Sequence, residues 1–154
     1  MTSTYDPGHP TAVITGASKG LGYQLARALS MQGWRLVVDA RSADALREAT
    51  DHLGADVTAI AGDVTDPAHR ADVRDLIDAF GRLDLLVNNA STIGMSPMPT
   101  LADAQVSTLR TIYETNVIAP LALTRTLLPY LLTAGGTVVN ISSDAAVEPY
   151  EGWG

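Results

Sequence analysis

The chain has no cysteine, one phenylalanine and a single lysine among 154 residues, and its formal charge is −7. Without cysteine there is no disulfide framework, no thiolate nucleophile and no thiolate metal site. That fits a reducing cytoplasm, which is the expected location. The negative charge argues against a nucleic-acid partner, because surfaces that read a phosphate backbone are usually basic. Long hydrophobic runs are also missing. The most apolar stretch, residues 117–132, is interrupted by Pro120, Arg125 and Pro129 and reads as too short and too polar to cross a bilayer. The expectation is a protein without a membrane span. His9, His52 and His69 are scattered over a tail and two helix surfaces, so the default for each is a solvated histidine, and no metal site is expected.

What is present is enough apolar residue, 46% of the chain, to bury one core. Residues 1–10 hold two prolines and no apolar run and read as a disordered lead-in, leaving residues 11–154 as one domain. Within that domain short β-branched runs alternate with segments of helical period, the pattern of βαβ units and a parallel sheet. Strands are expected at 12–15, 36–39, 57–61, 83–88 and 137–141. Between them, Leu21, Leu25, Ala28 and Leu29 share a helical stripe that Gly33 ends, and Ser42 can cap a helix bearing Leu46, Ala49 and Leu53. Asp66-Pro67 opens a helix whose stripe is Val73, Leu76, Ile77 and Phe80 and whose stop is Gly81. Residues 102–133 read as one long helix adjusted at Pro120 and Pro129. Five parallel strands buried on both faces by helices are the expected α/β sheet.

The first turn carries chemistry. It reads Thr15-Gly16-Ala17-Ser18-Lys19-Gly20-Leu21-Gly22, between a strand and a helix. Glycines there let the backbone turn tightly and approach a pyrophosphate, whose charge is favoured at the free N–H groups of a helix N-terminus. An ordinary glycine turn is the alternative, and the flanking strand and helix weigh against it.

The spacing Gly-x-x-x-Gly-x-Gly resembles that of the short-chain dehydrogenases/reductases, and further segments fit that family in order. Gly62-Asp63-Val64 follows the third strand. Asn88-Asn89-Ala90-Ser91 follows the fourth, with Ser91 in place of the family's usual glycine. Asn116 matches an asparagine of the long helix, and Asn140-Ile141-Ser142-Ser143 matches the end of the fifth strand. Taken singly, Asp63 could be a turn or capping aspartate, Asn88 and Asn89 a satisfied buried turn, and Asn116 a hydrogen-bonded kink residue.

The resemblance implies a Rossmann-type, doubly wound parallel sheet with strand order 3-2-1-4-5, lacking the family's last strands, with a nucleotide across the carboxyl ends of strands one and four. It implies that Gly16, Ser18, Lys19, Gly20, Leu21, Gly22, Arg41, Asp63, Val64, Asn89 and Ala90 bind the cofactor. Ala40 stands where NAD-preferring members carry an acid, and Arg41 follows it. NADP(H) is therefore the preferred cofactor, with NAD(H) as the alternative. Asp39 is one residue early for that acid, and strand alternation should send it to the other face unless the strand end frays.

The resemblance further implies that Ser143 hydrogen-bonds a substrate oxygen and that Asn116 holds a proton-relay water through its backbone. The family's acid/base is a tyrosine in Tyr-x-x-x-Lys, which needs the nearby cation because a free phenol has a pKa of about 10. Tyr5, Tyr23, Tyr113, Tyr130 and Tyr150 are followed four residues on by His9, Arg27, Val117, Ala134 and Gly154, and the lone lysine, Lys19, belongs to the phosphate turn. In the family's spacing the tyrosine falls just beyond Gly154. The expectation is an NAD(P)(H)-dependent oxidoreductase of carbonyls or alcohols, truncated before its acid, inactive alone, and homo-oligomeric when complete. A non-catalytic dinucleotide-binding module and an interaction fragment pairing through an exposed strand edge are the alternatives.

Overall fold

Successive side chains of an extended strand point to opposite faces, and the second strand shows the consequence. In β2 (Arg35–Ala40), Leu36, Val38 and Ala40 belong to one buried cluster and Val37 to another on the far side. The first cluster joins Ala12, Ile14 and Val87 to Leu25, Ala26 and Leu29 of one helix and Leu46 of a second. The other joins Val13 and Leu86 to Val73, Ile77, Leu123, Leu127 and Leu131. The result is a sheet covered on both faces, three layers in all. The computed structural model describes residues 8–148.

The elements that make these layers are β1 (Thr11–Ile14), α1 (Gly20–Met31), β2, α2 (Ala43–Thr50), β3 (Val57–Ala61), α3 (Pro67–Phe80), β4 (Leu85–Asn88), α4 (Val106–Tyr113), a π-helical turn (Glu114–Ile118), α5 (Ala119–Ala134) and β5 (Thr137–Asn140). All strand pairs are parallel, in the order β3-β2-β1-β4-β5. The direction in which successive strands are added reverses between β1 and β4, where an open α/β sheet leaves a crevice at its carboxyl end.

Local chemistry sets the helix ends. Asp66 caps α3 by accepting from the Ala68 N–H at 2.8 Å, Pro67 takes the first turn, and Gly81 closes the helix in the left-handed conformation. Ser42 caps α2 through the Ala45 N–H at 3.3 Å. The strand expected from residue 83 begins at Leu85, and Asp84 leads into it, its N–H donating to the Thr11 carbonyl at 2.9 Å and its carbonyl accepting the Thr137 N–H at 2.8 Å. Its carboxylate accepts the Thr11 N–H at 2.8 Å and pairs with Arg82.

Two expectations are corrected. Residues 102–105 are not helical, and the long helix contains a widened π turn immediately before Pro120. Proline has no N–H, so the carbonyl four residues back, that of Asn116, loses its α-helical donor. The continuous helix from Val106 to Ala134 is long and apolar enough for a membrane span by composition, but Leu123, Leu127 and Leu131 pack it onto the sheet. Nor is every strand buried on both faces. β5 is exposed along its whole length, with Val138 at 36% and Val139 at 37%, because β4 pairs with one edge and the other has no strand among the described residues.

Met1–Pro7 and Pro149–Gly154, including Tyr5, Tyr150 and most of the expected lead-in, lie outside the described residues. Gly8 to Pro10 are described. The His9 ring lies 2.9 Å from the Gly33 carbonyl, and Pro10 accepts the Arg35 N–H.

Candidate functional site: two clefts that meet at the end of β4

Thr15 ends the first strand and ties it to the fourth. Its hydroxyl accepts the Asn89 and Ala90 N–H groups at 3.0 and 2.9 Å, while the Asn89 side-chain amide donates back to the Thr15 and Gly16 carbonyls at 2.9 and 3.1 Å. This stitching explains two glycines. Gly16 has φ of +68°, and a Cβ there would lie 2.9 Å from the Ala90 Cα; at Gly22 it would lie 2.5 Å from the Asn89 amide nitrogen and 2.6 Å from the Gly16 carbonyl oxygen. Gly22 thus acts beneath the turn, as a packing position buried between α1 and β4.

The remaining residues expected at the cofactor converge on one cleft of about 310 Å³. Gly16, Ser18, Lys19, Gly20 and Leu21 form one wall, and Arg41 faces them from the end of β2. Asp63 and Val64 enter from the end of β3, and Asn89 and Ala90 from the end of β4. Leu21 is 52% exposed, because it is the rim of this cleft and not part of the helix stripe in which the sequence pattern puts it. Lys19 occupies the N-cap of α1 without a side-chain cap, and the first turn carries no acid. Its N–H groups are left for an anion at the positive end of the helix. A glycine turn seated directly on the exit of β4, next to an uncapped helix start, fits a dinucleotide's pyrophosphate.

Asp63 sits in a tight turn. One of its oxygens accepts the Thr65 N–H at 2.9 Å and the Thr65 hydroxyl at 2.8 Å, and the backbone bond in particular holds its pKa below the ordinary carboxylate value.

Asp39 and His69 form the part of the site that the sequence pattern did not reveal. Asp39 is 2% exposed and points to the α3 face, as alternation requires. One oxygen accepts the Gly16 N–H at 2.9 Å and the other lies 3.2 Å from His69 Nε2. His69 is therefore not a solvated surface residue but is 5% exposed, and the hydrogen bond to Asp39 raises its pKa against the opposing effect of burial. A signal was there: His69, Val73 and Ile77 recur every four residues, on one stripe of α3.

A second cleft, of about 790 Å³, shares Ala90 and Ser91 with the first and so continues it. Asn116 and Ser143 both line it. Asn116 lies in the π turn, its amide clamped on the backbone of Thr92: Oδ1 accepts the N–H at 2.9 Å and Nδ2 donates to the carbonyl at 2.8 Å. Ser143 caps a single 3₁₀ turn, with its hydroxyl 3.2 Å from the Ala145 N–H and 3.0 Å from the Asp144 carboxylate. Asn88 bridges the floor to Asn140 at 2.8 Å and to Thr124 at 3.3 Å. Among the described residues no three His, Asp or Glu side chains gather as metal ligands.

Comparison with known proteins agrees with this geometry. The chain is 38% identical to serine 3-dehydrogenase of Agrobacterium fabrum over 144 residues, covering 92% of this chain and 57% of that protein. It is 36% identical to the granaticin polyketide synthase putative ketoacyl reductase 2 of Streptomyces violaceoruber, covering 96% of this chain and 60% of that one. Among solved structures, a short-chain dehydrogenase from Streptomyces avermitilis superposes with a TM-score of 0.86 at 33% identity, over 96% of this chain and 54% of the other. An actinorhodin polyketide ketoreductase variant with NADPH gives a TM-score of 0.86 at 27% identity, over 94% and 57%. The chain thus spans less than two thirds of the length of each of these proteins. The family model described as short chain dehydrogenase matches residues 10–154, and the chain belongs to that family.

Proposed function

We propose that these residues are the nucleotide-binding part of an NAD(P)(H)-dependent oxidoreductase that interconverts a small-molecule carbonyl and its alcohol in the cytoplasm, as a homo-oligomer when complete. The observation that carries this reading is the continuity of the two clefts across Ala90 and Ser91, with the phosphate cradle on one side and Asn116 and Ser143 on the other. A relative that is a serine 3-dehydrogenase and another that is a putative ketoacyl reductase support a hydroxyl or carbonyl substrate.

NADP(H) is the preferred cofactor in this proposal, with NAD(H) as the alternative. Arg41 is exposed at the cleft and able to bond a 2′-phosphate, and Ala40 offers the ribose hydroxyls no acceptor side chain. The competing acid, Asp39, is already engaged by Gly16 and His69. Ser18, Gly20, Leu21, Val64, Asn89 and Ala90 frame the nucleotide, and Asp63 faces its adenine.

Bound nucleotide would supply or accept the hydride. The chain's part is to meet the charge on the substrate oxygen: the Ser143 hydroxyl donates to it, and the Asn116 carbonyl, without an α-helical donor because residue 120 is proline, accepts from a relay water. A serine hydroxyl polarises but is too weak an acid to deliver the proton. None of the five tyrosines in the sequence precedes lysine by four residues. These residues on their own should therefore bind nucleotide and not turn over, since a missing general acid is worth about 10²–10⁴ in rate.

The test is NADPH oxidation with a panel of ketones, aldehydes and quinones, for the chain alone and for the chain continued by a family segment that supplies Tyr-x-x-x-Lys. Turnover should require the continuation, and Ser143→Ala in the longer form should lower it by about 10²-fold or more. Equal turnover by the chain alone would show that another group supplies the proton.

A further inference from the structure

Behind the phosphate turn lies a buried histidine–carboxylate pair that the hydride-transfer reading does not use. We propose that His69 is a positioning residue for the dinucleotide: through Asp39 it holds the Gly16 amide in place, and its positive charge offsets a carboxylate that would otherwise repel the phosphates. This rests on the reading of the 310 Å³ cleft as a dinucleotide site.

The connectivity is short and continuous. His69 Nε2 meets one oxygen of Asp39 at 3.2 Å, the other oxygen accepts the Gly16 N–H at 2.9 Å, and the Asp39 backbone carbonyl accepts the Ala17 N–H at 2.8 Å. One residue of β2 thus fixes two successive residues of the turn. The ring has a place made for it. A Cβ on Gly62 would fall 2.1 Å from His69 Nδ1, so the exit of β3 packs flush against the imidazole. Asp66 sets the depth of insertion by capping α3, which puts His69 in its first turn.

Electrostatics give the pair a function beyond packing. Asp39 lines the same cleft as Lys19 and Arg41, so a bare carboxylate there would act against the very anion that those cations attract. A cation is also unfavourable in the first turn of a helix, where the backbone dipole is positive. What holds a proton on His69 is the surrounding set of carboxylates: Asp39 from β2, and Asp66 and Asp72 from α3, with Asp63 facing it from the end of β3. The opposing cations are Arg41, which acts on Asp63, and Arg70 of α3, whose guanidinium donates to the Val64 carbonyl at 2.6 Å.

A carboxylate can only accept, so Nε2 carries a hydrogen in both states and the titrating nitrogen is Nδ1. Loss of that proton leaves the hydrogen bond and removes the charge. Since its partners raise the His69 pKa, the ring keeps its proton at the ordinary value near 6.5 and releases it only at higher pH. Nucleotide affinity should then fall with rising pH by about tenfold to twentyfold, the size expected of one unit charge about 10 Å away through an effective dielectric near 20.

The experiment titrates NADPH into the chain at fixed ionic strength from about pH 6 to about pH 9. It compares wild type with His69→Gln, whose amide keeps a donor at similar reach without the charge. Wild type should weaken by the stated factor relative to the glutamine variant, which should resemble the deprotonated wild type throughout; ionisation of the 2′-phosphate is common to both and drops out. The second readout needs no variant and no ligand: in wild type the Gly16 amide resonance should follow the titration of the His69 ring. Equal pH slopes in the two proteins, or a Gly16 amide indifferent to the ring, would overturn the role of His69 while leaving the dinucleotide site intact. Absence of NADPH binding at any pH would overturn the site and this inference together.

Discussion

On one side of Ala90 the turn at Gly16 is held by bonds between segments far apart in the chain; on the other, Asn88 and Asn116 are held in the same way, but Ser143 is held by bonds to its neighbours. Thr15 and Asn89 lock β1 to β4, and Asp39 joins Gly16 to a residue of α3. Ser143 by contrast bonds to Asp144 and Ala145, one and two residues on, in a single turn that follows a strand exposed along its length. The contrast says what this stretch of chain can accomplish by itself. A phosphate cradle must be rigid before its ligand arrives, and cross-strand bonds over a buried sheet provide that. A serine that must meet a substrate oxygen needs the same rigidity, and its supports here are local.

A matched pair of truncations should break or confirm the contrast, with the largest effect of any proposed. Ile14 is fully buried between β1 and the α1 layer, whereas Ile141, just past β5, is 39% exposed. Ile14→Ala should destabilise the chain by about 2–5 kcal/mol through lost burial and a cavity. For Ile141→Ala the loss should stay below about 1 kcal/mol, since much of that side chain is already in water. Denaturant unfolding of the two variants measures the difference. Similar losses would mean that the β5 side is as well buried as the nucleotide side.

Arg41 sharpens the comparison from within the nucleotide side, where an exposed residue acts on the ligand and not on the fold. Arg41→Ala should weaken NADPH binding by about 1.5–3 kcal/mol, roughly one to two decades, and change NADH binding little. Calorimetric titration of both nucleotides decides it. Equal loss for the two, or loss for neither, would remove the guanidinium from 2′-phosphate recognition.

Much of this architecture was legible in the sequence, for reasons that differ by element. α3 was read with both its ends because Asp66-Pro67 and Gly81 are strong local signals and the stripe between them is regular. The phosphate turn was legible because close backbone approach admits glycine alone at Gly16 and Gly22. The π turn was not, since residues 114–118 have no composition peculiar to a widened helix and only Pro120 hints at it. Asp39 and His69 escaped because each obeys its own local pattern, alternation for one and the helical stripe for the other. What matters is that the two patterns meet, 30 residues apart. Pairings between elements are the information that a period in the sequence does not carry.

The smallest expected effect tests whether nearness in sequence, and not side of the site, sets how much a polar contact is worth. Asp63 belongs to the nucleotide side, yet its bonds go to Thr65, two residues on, as local as those of Ser143. Its pKa is lowered, chiefly by the Thr65 N–H, from an ordinary value of 3.8. A carboxylate depressed by folding stabilises the native state at pH above its unfolded pKa, and that contribution is lost as the pH falls through the folded value. Asp63→Asn keeps an oxygen for the Thr65 N–H and loses only the charge. The variant should therefore melt slightly below wild type at neutral pH, by less than about 1 kcal/mol in stability given the partial exposure of the group. The gap should narrow as the pH drops from about 6 toward 3, where wild type loses its charge as well. Thermal melts of both proteins across that range provide the measurement. A gap of several kcal/mol, or one that stays constant into acid, would mean that Asp63 supports the fold through contacts beyond its own turn, and the division between long-range and local bonding would not hold at this residue.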